Sequence, residues 1–229
     1  MHKYVIMGAP GSGKGTQAAM LARDLDLVQI AVGEMFRWHV QQHTKIGTRV
    51  RQTMAAGELV SDDLVMSLVD ERLRAHDWNY GFIIDGFPRS PRQAEFLMAD
   101  YDVDAVIHLD LPADEVRRRV LGRRLCGRCG ADYGTVAGGT AGHGTTDAGG
   151  IPDGGRCRSC GGEIVTREDD TDEALVRRLR EYREKTYPVL ELLGRKERVV
   201  TVDARPDRAT VQREIRQVLG LPEYHGQPG

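Results

Sequence analysis

The chain has 229 residues, 40% of them hydrophobic and 29% charged, with a net charge of -2 and a sequence pI near 6.4. That length can bury a substantial core as one elaborated domain or two small ones, and the composition is that of an ordinary globular protein. The near-neutral balance argues against a general nucleic-acid binder, no apolar run approaches the ~18 residues that span a bilayer, and the start is too short for a secretory leader, so a cytoplasmic protein is expected.

Lys3 to Gly8 (KYVIMG) reads as a short strand that breaks at glycine, and helical periodicity runs from Lys14 to about Leu25. Between them lies Gly8-Ala9-Pro10-Gly11-Ser12-Gly13-Lys14-Gly15-Thr16. A glycine-rich loop in that setting curls its backbone N–H groups around an anion, and the helix N-terminus adds roughly half a positive charge. Lys14 is placed to reach the outer phosphates of a nucleotide. The general motif carries Ser or Thr directly after the lysine, where the hydroxyl holds magnesium. Here that position is Gly15, and Thr16 comes one step later. Phosphate charge must then be neutralised by other cations.

Gln29 to Val32 supplies a further short strand, followed by Gly33-Glu34-Met35-Phe36-Arg37 and by Gly57-Glu58-Leu59-Val60. Leu64, Leu68, Val69 and Leu73 mark a helix. Gly81 to Gly86 is a buried-strand signature that runs into Asp85-Gly86-Phe87-Pro88-Arg89, with Gln93 four residues on. Ala105 to Asp110 and Val199 to Asp203 are further strands, and Leu175, Leu179 and Tyr182 have helical spacing. Strands separated by helices imply a doubly wound α/β fold around a parallel five-stranded sheet, with ligands at the carboxyl ends of the strands.

Arginine recurs wherever the chain returns to that edge: Arg119, then Gly122-Arg123-Arg124, then Arg167 in Thr166-Arg167-Glu168-Asp169-Asp170, then Arg178. Guanidinium is planar, permanently charged and bidentate, which suits phosphate. Arg117, Arg118, Arg124 and Arg177 read as solvated helix faces, and the seven histidines show no catalytic constellation.

Cys126-x-x-Cys129 and Cys157-x-x-Cys160 have the spacing of a tetrahedral thiolate zinc site, and four protein ligands would leave zinc no open position, making it structural. Free thiols or two redox pairs are the alternatives. Twenty-seven residues separate Cys129 from Cys157, against roughly 15 to 20 in the usual paired knuckle. The excess is Gly134 to Gly155, nine of whose 22 residues are glycine. It reads as an insertion between knuckles, since loop entropy rises slowly with length and a metal would clamp its base. The end, 221–229, reads as a frayed tail.

GAPGSGKGTQA and DGFPR together resemble the adenylate kinase family of nucleoside monophosphate kinases, in its form with a long zinc-type lid, and the resemblance runs from Lys3 to about Leu219. It implies reversible, magnesium-dependent transfer, ATP + AMP to 2 ADP, by a monomer. By the same resemblance ATP is held by Gly11, Ser12, Gly13, Lys14, Gly15, Thr16, Arg119, Arg123 and Arg205. AMP is held by Val32, Arg37, Leu59, Val60, Gly86, Arg89, Gln93, Arg167 and Arg178. Lys14, Asp85, Arg89, Arg123, Arg167 and Arg178 surround the reaction, Asp85 orienting magnesium-bound water. The core would be 1–30, 61–122 and 168–220, the acceptor-binding segment 31–60, and the lid 123–167. Val32 stands where the family carries Thr, and Glu34 where it carries Asp. A small apolar residue at the first position also occurs in pyrimidine monophosphate kinases, so UMP or CMP as acceptor, or GTP as donor, is the nearest rival. A nucleotide-binding zinc module without turnover is a second.

Overall fold

The computed structural model describes residues 2–76, 80–133 and 155–223; all of the glycine-rich insertion but Gly155, and the tail beyond residue 223, lie outside them. Its centre is a five-stranded, all-parallel sheet built from β1 (Lys3–Gly8), β2 (Val28–Ala31), β3 (Phe82–Asp85), β4 (Ala105–Asp110) and, last in the chain, Val199–Asp203. Two two-residue strands intervene, β5 (Leu125–Cys126) and β6 (Ile164–Val165), paired with each other, so the last strand is β7, and the sheet order is β2-β3-β1-β4-β7. Every strand expected from the sequence is present. One boundary moves: the strand expected at Gln29 to Val32 is Val28–Ala31, and Val32 opens a helix.

The apolar runs are continuous because both faces of the sheet are covered. In β1, Val5 and Met7 point to one core and Tyr4 and Ile6 to the other. The first core gathers α2 (Val32–Gln41), α3 (Lys45–Ala55), α4 (Asp62–Arg74), α5 (Pro91–Asp100) and α8 (Tyr187–Leu193) through Phe36, Val50, Val69, Leu97 and Leu193. The second gathers α1 (Lys14–Asp24), α6 (Ala113–Leu121), α7 (Asp172–Glu181) and α9 (Arg208–Leu219) through Leu21, Val116, Leu175 and Ile215. Ile6, Ile83, Leu97, Ile107 and Ile215 are fully buried, each stabilising the fold by about 1.5–3 kcal/mol.

The helices start where their sequences say they should. Ser90 accepts from Gln93 N and is followed by Pro91, Thr171 accepts from Ala174 N, and Asp207 accepts from Ala209 N and Thr210 N. Between α7 and α8 the winding loosens into a π turn, Tyr182–Thr186. Register then aligns the strand ends. Ile6 pairs with Asp85, and Gly8 pairs with Leu109. The loops after β1, β3 and β4 therefore leave the sheet side by side. The stretch 31–60 holds the α2–α3 pair, and 123–167 holds the β5–β6 ladder with a small core of Cys126, Tyr133, Cys157 and Ile164. No described helix is long and apolar enough to cross a membrane.

Candidate active site

The loop after β1 wraps the start of α1. Lys14 Nζ donates to Gly8 O (2.9 Å) and Ala9 O (2.8 Å), and Ser12 Oγ lies at 3.5 Å. Burial lowers the Lys14 ammonium to about 7, Asp85 opposing the shift and Arg89, Arg178 and Arg123 adding to it. Burial likewise raises Asp85, against the pull of Lys14 and Arg89. A Cβ on Gly15 would sit 3.3 Å from Asp85 Oδ2, a tight approach, so a bare backbone at the position that elsewhere carries a hydroxyl leaves the Asp85 carboxylate room.

At the end of β3 the loop Asp85 to Arg89 turns back on itself, with a cis Phe87–Pro88 bond. Gly86 has φ +80, and a Cβ on it would meet Arg89 Nη2 at 2.9 Å. The bare backbone lets the guanidinium lie flat on the turn, where Arg89 Nε donates to Gly86 O at 2.8 Å. Thr186 of the π turn donates to Arg89 O (3.2 Å), and Gln93 Oε1 accepts from Arg89 N (2.8 Å). Gln93 Nε2 in turn donates to Asp62 Oδ1 at 2.7 Å.

Two open clefts meet at this arginine. One, of about 550 Å³, is lined by Gly8, Lys14, Gly86, Arg89, Arg178 and Tyr182 among others. The other, of about 650 Å³, is lined by Val32, Phe36, Arg37, Met54, Leu59, Val60 and Gln93. Arg89, Arg178, Gly86, Gly57 and Leu59 belong to both walls. The second cleft is apolar on one side and cationic on the other, the form a nucleoside phosphate fits.

The remaining arginines are braced by carboxylates. Arg123 makes a bidentate pair with Asp170 (2.8 and 2.5 Å), whose side chain is fully buried, and Arg178 reaches the same carboxylate at 3.2 Å. Glu34 Oε1 sits between Arg37 (2.6 Å) and Arg167 (2.9 Å), joining α2 to the segment after β6. Burial alone would raise the Glu34 carboxyl, but the hydrogen bond and charge of Arg37, with Arg167, hold it below the usual carboxylate range. Burial and the charges of Arg37 and Arg123 bring Arg167 down to about 10. Arg37 Nε and Arg167 Nε are buried with no hydrogen-bond partner. Buried donors of this kind are normally satisfied, so the cluster is short of anions, not of cations. At the edge of the sheet Arg119 Nη2 donates to Arg205 O (2.9 Å), and Arg205 is itself paired with Asp203 at 2.7 Å.

This geometry has known counterparts. Residues 6–198 match the family model described as adenylate kinase. The curated adenylate kinase of Syntrophotalea carbinolica is 39% identical over 223 residues, covering 95% of this chain and 98% of the relative. That of Salinispora tropica is 38% identical over 229 residues, covering 98% and 100%, and that of Treponema denticola 37% over 202 residues, covering 88% and 91%. The chain belongs to the adenylate kinase family.

For an adenylate kinase of the kind expected, the cysteines should converge, and they do. The Sγ atoms of Cys126, Cys129, Cys157 and Cys160 all lie within 4.8 Å of one another, with Cys126–Cys160 at 3.4 Å and Cys129–Cys157 at 3.6 Å. A tetrahedron with metal–sulfur bonds of about 2.3 Å has edges of about 3.8 Å, so the four thiols fit a zinc ion despite the long gap between the knuckles. Tyr133 donates to Cys157 Sγ (3.2 Å), which holds that thiol down to about 5, while its own oxygen accepts from Arg158 N (2.8 Å). Such outer partners orient thiolate ligands. There is no disulfide among the four.

The sites named from the sequence thus fall into three groups. Lys14, Asp85, Arg89 and Arg178 share one cleft or lie against it, Val32, Arg37, Leu59, Val60 and Gln93 line the other, and Arg119 and Arg205 meet at the edge of the sheet. Arg124 is not simply a solvated face: its Nη1 donates to Leu121 O and Arg123 O, closing the end of α6. Arg117 and Arg118 do pair on the surface, with Asp172 and Glu115. Five residues in or behind the site were missed. Asp170 holds two of its arginines and was readable in the Asp169-Asp170 pair beside Arg167. Asp62 looks like any acid in a first helical turn. Tyr182 and Thr186 reach the cleft only through the π turn, for which the sequence has no signal. His108, buried in β4, bonds Tyr182 OH at 3.0 Å and supports that turn from below.

Proposed function

We propose that this chain catalyses reversible phosphoryl transfer from ATP to AMP, giving two ADP. The observation that supports it most is the shared wall: Arg89 and Arg178 line both clefts, so one phosphoryl group can be held between a donor and an acceptor. Phosphoryl transfer asks little covalent chemistry of a protein, and positioning with electrostatic stabilisation carries the rate. In this reading Gly11 to Thr16 cradle the donor phosphates and Lys14 leaves its loop carbonyls to meet the outer ones. Arg119 and Arg205 flank the donor base. Arg37 and Arg89 hold the acceptor phosphate, Gln93 faces the acceptor base above the apolar wall of Val32, Leu59 and Val60, and Arg123, Arg167 and Arg178 neutralise the group in flight. Magnesium bound to the nucleotide supplies charge neutralisation, and Asp85, with Gly15 leaving room beside it, would hold the water on that ion.

The same reading divides the chain into a core (1–30, 61–122, 168–220), an acceptor segment (31–60) and a lid (123–167), the last two closing over the nucleotides to exclude water before transfer. Zinc on Cys126, Cys129, Cys157 and Cys160 would stiffen the lid. The same reading has the protein act as a monomer on free nucleotides in the cytoplasm. A coupled assay decides the matter: purified protein with magnesium and ATP, offered AMP, UMP, CMP and GMP in turn, then GTP with AMP. ADP formation should be fastest with ATP and AMP. No turnover with any pair would end the kinase reading, and a preference for UMP would end only the AMP assignment.

A further inference from the structure

We propose that Asp62 fixes the orientation of the Gln93 carboxamide, and by doing so lets the acceptor cleft tell a 6-aminopurine monophosphate from its 6-oxo counterpart. The inference rests on the reading above that Gln93 faces the acceptor base.

Gln93 is 2% exposed and lines the acceptor cleft, whereas Asp62, in the first turn of α4, does not. Gln93 Oε1 accepts from Arg89 N–H at 2.8 Å, and Nε2 donates to Asp62 Oδ1 at 2.7 Å. The other oxygen of Asp62 accepts from Ser90 Oγ at 2.8 Å, and the same hydroxyl caps α5 by accepting from Gln93 N at 3.3 Å. The polarity of the amide is therefore forced from both ends. Turned over, its nitrogen would face the Arg89 N–H, donor against donor, and its oxygen would face a carboxylate, acceptor against acceptor. Each mismatch leaves a buried polar group unpaired.

A primary amide has two N–H donors and two lone pairs. Arg89 and Asp62 take one of each, so the cleft is offered one donor and one acceptor in a fixed order. Adenine presents a 6-amino donor beside the N1 acceptor. Hypoxanthine presents a 6-oxo acceptor beside an N1–H donor, the same pair reversed. A free amide would match either base by flipping; a clamped one matches one and opposes the other. Specificity of this kind comes from the rejected partner's unpaired groups as much as from the accepted partner's bonds. Val32 sharpens the choice. A hydroxyl on that wall could donate or accept as required, and two methyl groups can do neither, so the base edge is read by the fixed amide.

The test compares kcat/KM for AMP and for IMP, each with magnesium and ATP, in the parent protein, Asp62→Ala, Asp62→Asn and Gln93→Leu. The ratio of the two acceptors within one protein does not depend on how much of that protein is folded. Asp62→Ala should lower the AMP-to-IMP ratio about tenfold, roughly the net worth of one hydrogen bond, and Gln93→Leu at least as far. Asp62→Asn keeps an oxygen for Nε2–H and should retain most of the ratio. If Asp62→Ala slowed both acceptors in proportion while Gln93→Leu lowered the ratio, the orienting role would be wrong and the place of Gln93 would stand. An unchanged ratio in Gln93→Leu would instead remove Gln93 from the base, and this inference with it.

Discussion

The molecule crowds like-charged groups in two places, and handles them differently. Around the clefts, Lys14, Arg37, Arg89, Arg123, Arg167 and Arg178 are partly buried, and each sits near a carboxylate: Asp85 near Lys14 and Arg89, exposed Glu34 between Arg37 and Arg167, and buried Asp170 under Arg123 and Arg178. In the knuckles four thiols converge, and among the described residues their partners include one another, the Tyr133 hydroxyl and backbone N–H groups. The first cluster carries part of its own counter-charge and leaves the remainder for an anionic ligand. The second would need an ion to hold its four sulfurs together as thiolates. Ligand loss should therefore cost the first region activity and the second region structure.

The sharpest break of that contrast is at Lys14. Lys14→Met should reduce kcat by about a thousandfold or more while the thermal midpoint stays near the parent's, because burial already disfavours the ammonium there and methionine carries no such cost. A loss below tenfold in the coupled assay would remove Lys14 from the reaction. Asp170→Ala tests the bracing itself. It leaves Arg123 and Arg178 without their shared buried partner, and should lower stability by about 3 kcal/mol in denaturant unfolding as well as slowing turnover; unchanged stability would mean that the arginines need no internal counter-charge. In the other cluster, stripping metal with a strong chelator should lower the thermal midpoint by about 5 °C or more, and restored zinc should recover it. If chelation changed neither stability nor activity, the four cysteines would have no structural metal.

The smallest effect is the most specific. Free Lys14 is held near 7 by burial and by neighbouring arginines, so at pH 8 it is largely neutral, and bound polyphosphate should raise it. ATP binding at pH 8 should then take up a fraction of a proton, seen by calorimetry as a dependence of the apparent enthalpy on the buffer's ionisation heat. At pH 6, where Lys14 is already protonated, its share of the uptake should vanish, and in Lys14→Met it should be gone at both values. Equal uptake in parent and variant would assign the proton elsewhere.

What could be read from the sequence was whatever is written locally. The strand-loop-helix of Lys3 to Asp24, the Asp85 to Arg89 turn and both cysteine pairs each carry their chemistry within a few residues, and the structure has each where it was expected. The edge of β2 moved by one residue because the alternation of buried Ile30, half-buried Ala31 and buried Val32 runs on past the strand, so it does not mark where strand becomes helix. Asp62 and His108 escaped for another reason. Each acts through a partner 31 or 74 positions away, and nothing in its own neighbourhood separates it from a helix-start acid or a core histidine.

The π turn at Tyr182–Thr186 decides where this helix can change in length. A π turn carries one residue more than α-helical winding needs, and both of its ends are used: Tyr182 meets His108, and Thr186 meets the Arg89 carbonyl. The wide turn spends five residues on the rotation that about four complete in regular winding, so removing one residue within it would let the helix wind regularly and leave α8 facing as before, with Val189 and Leu193 still in the first core. The same deletion in the regular winding of α7 or α8 has nothing to absorb it, and everything beyond would rotate by about 100° about the helix axis. The π turn is therefore the one place along this helix where length can change by a residue without turning the packed faces on either side.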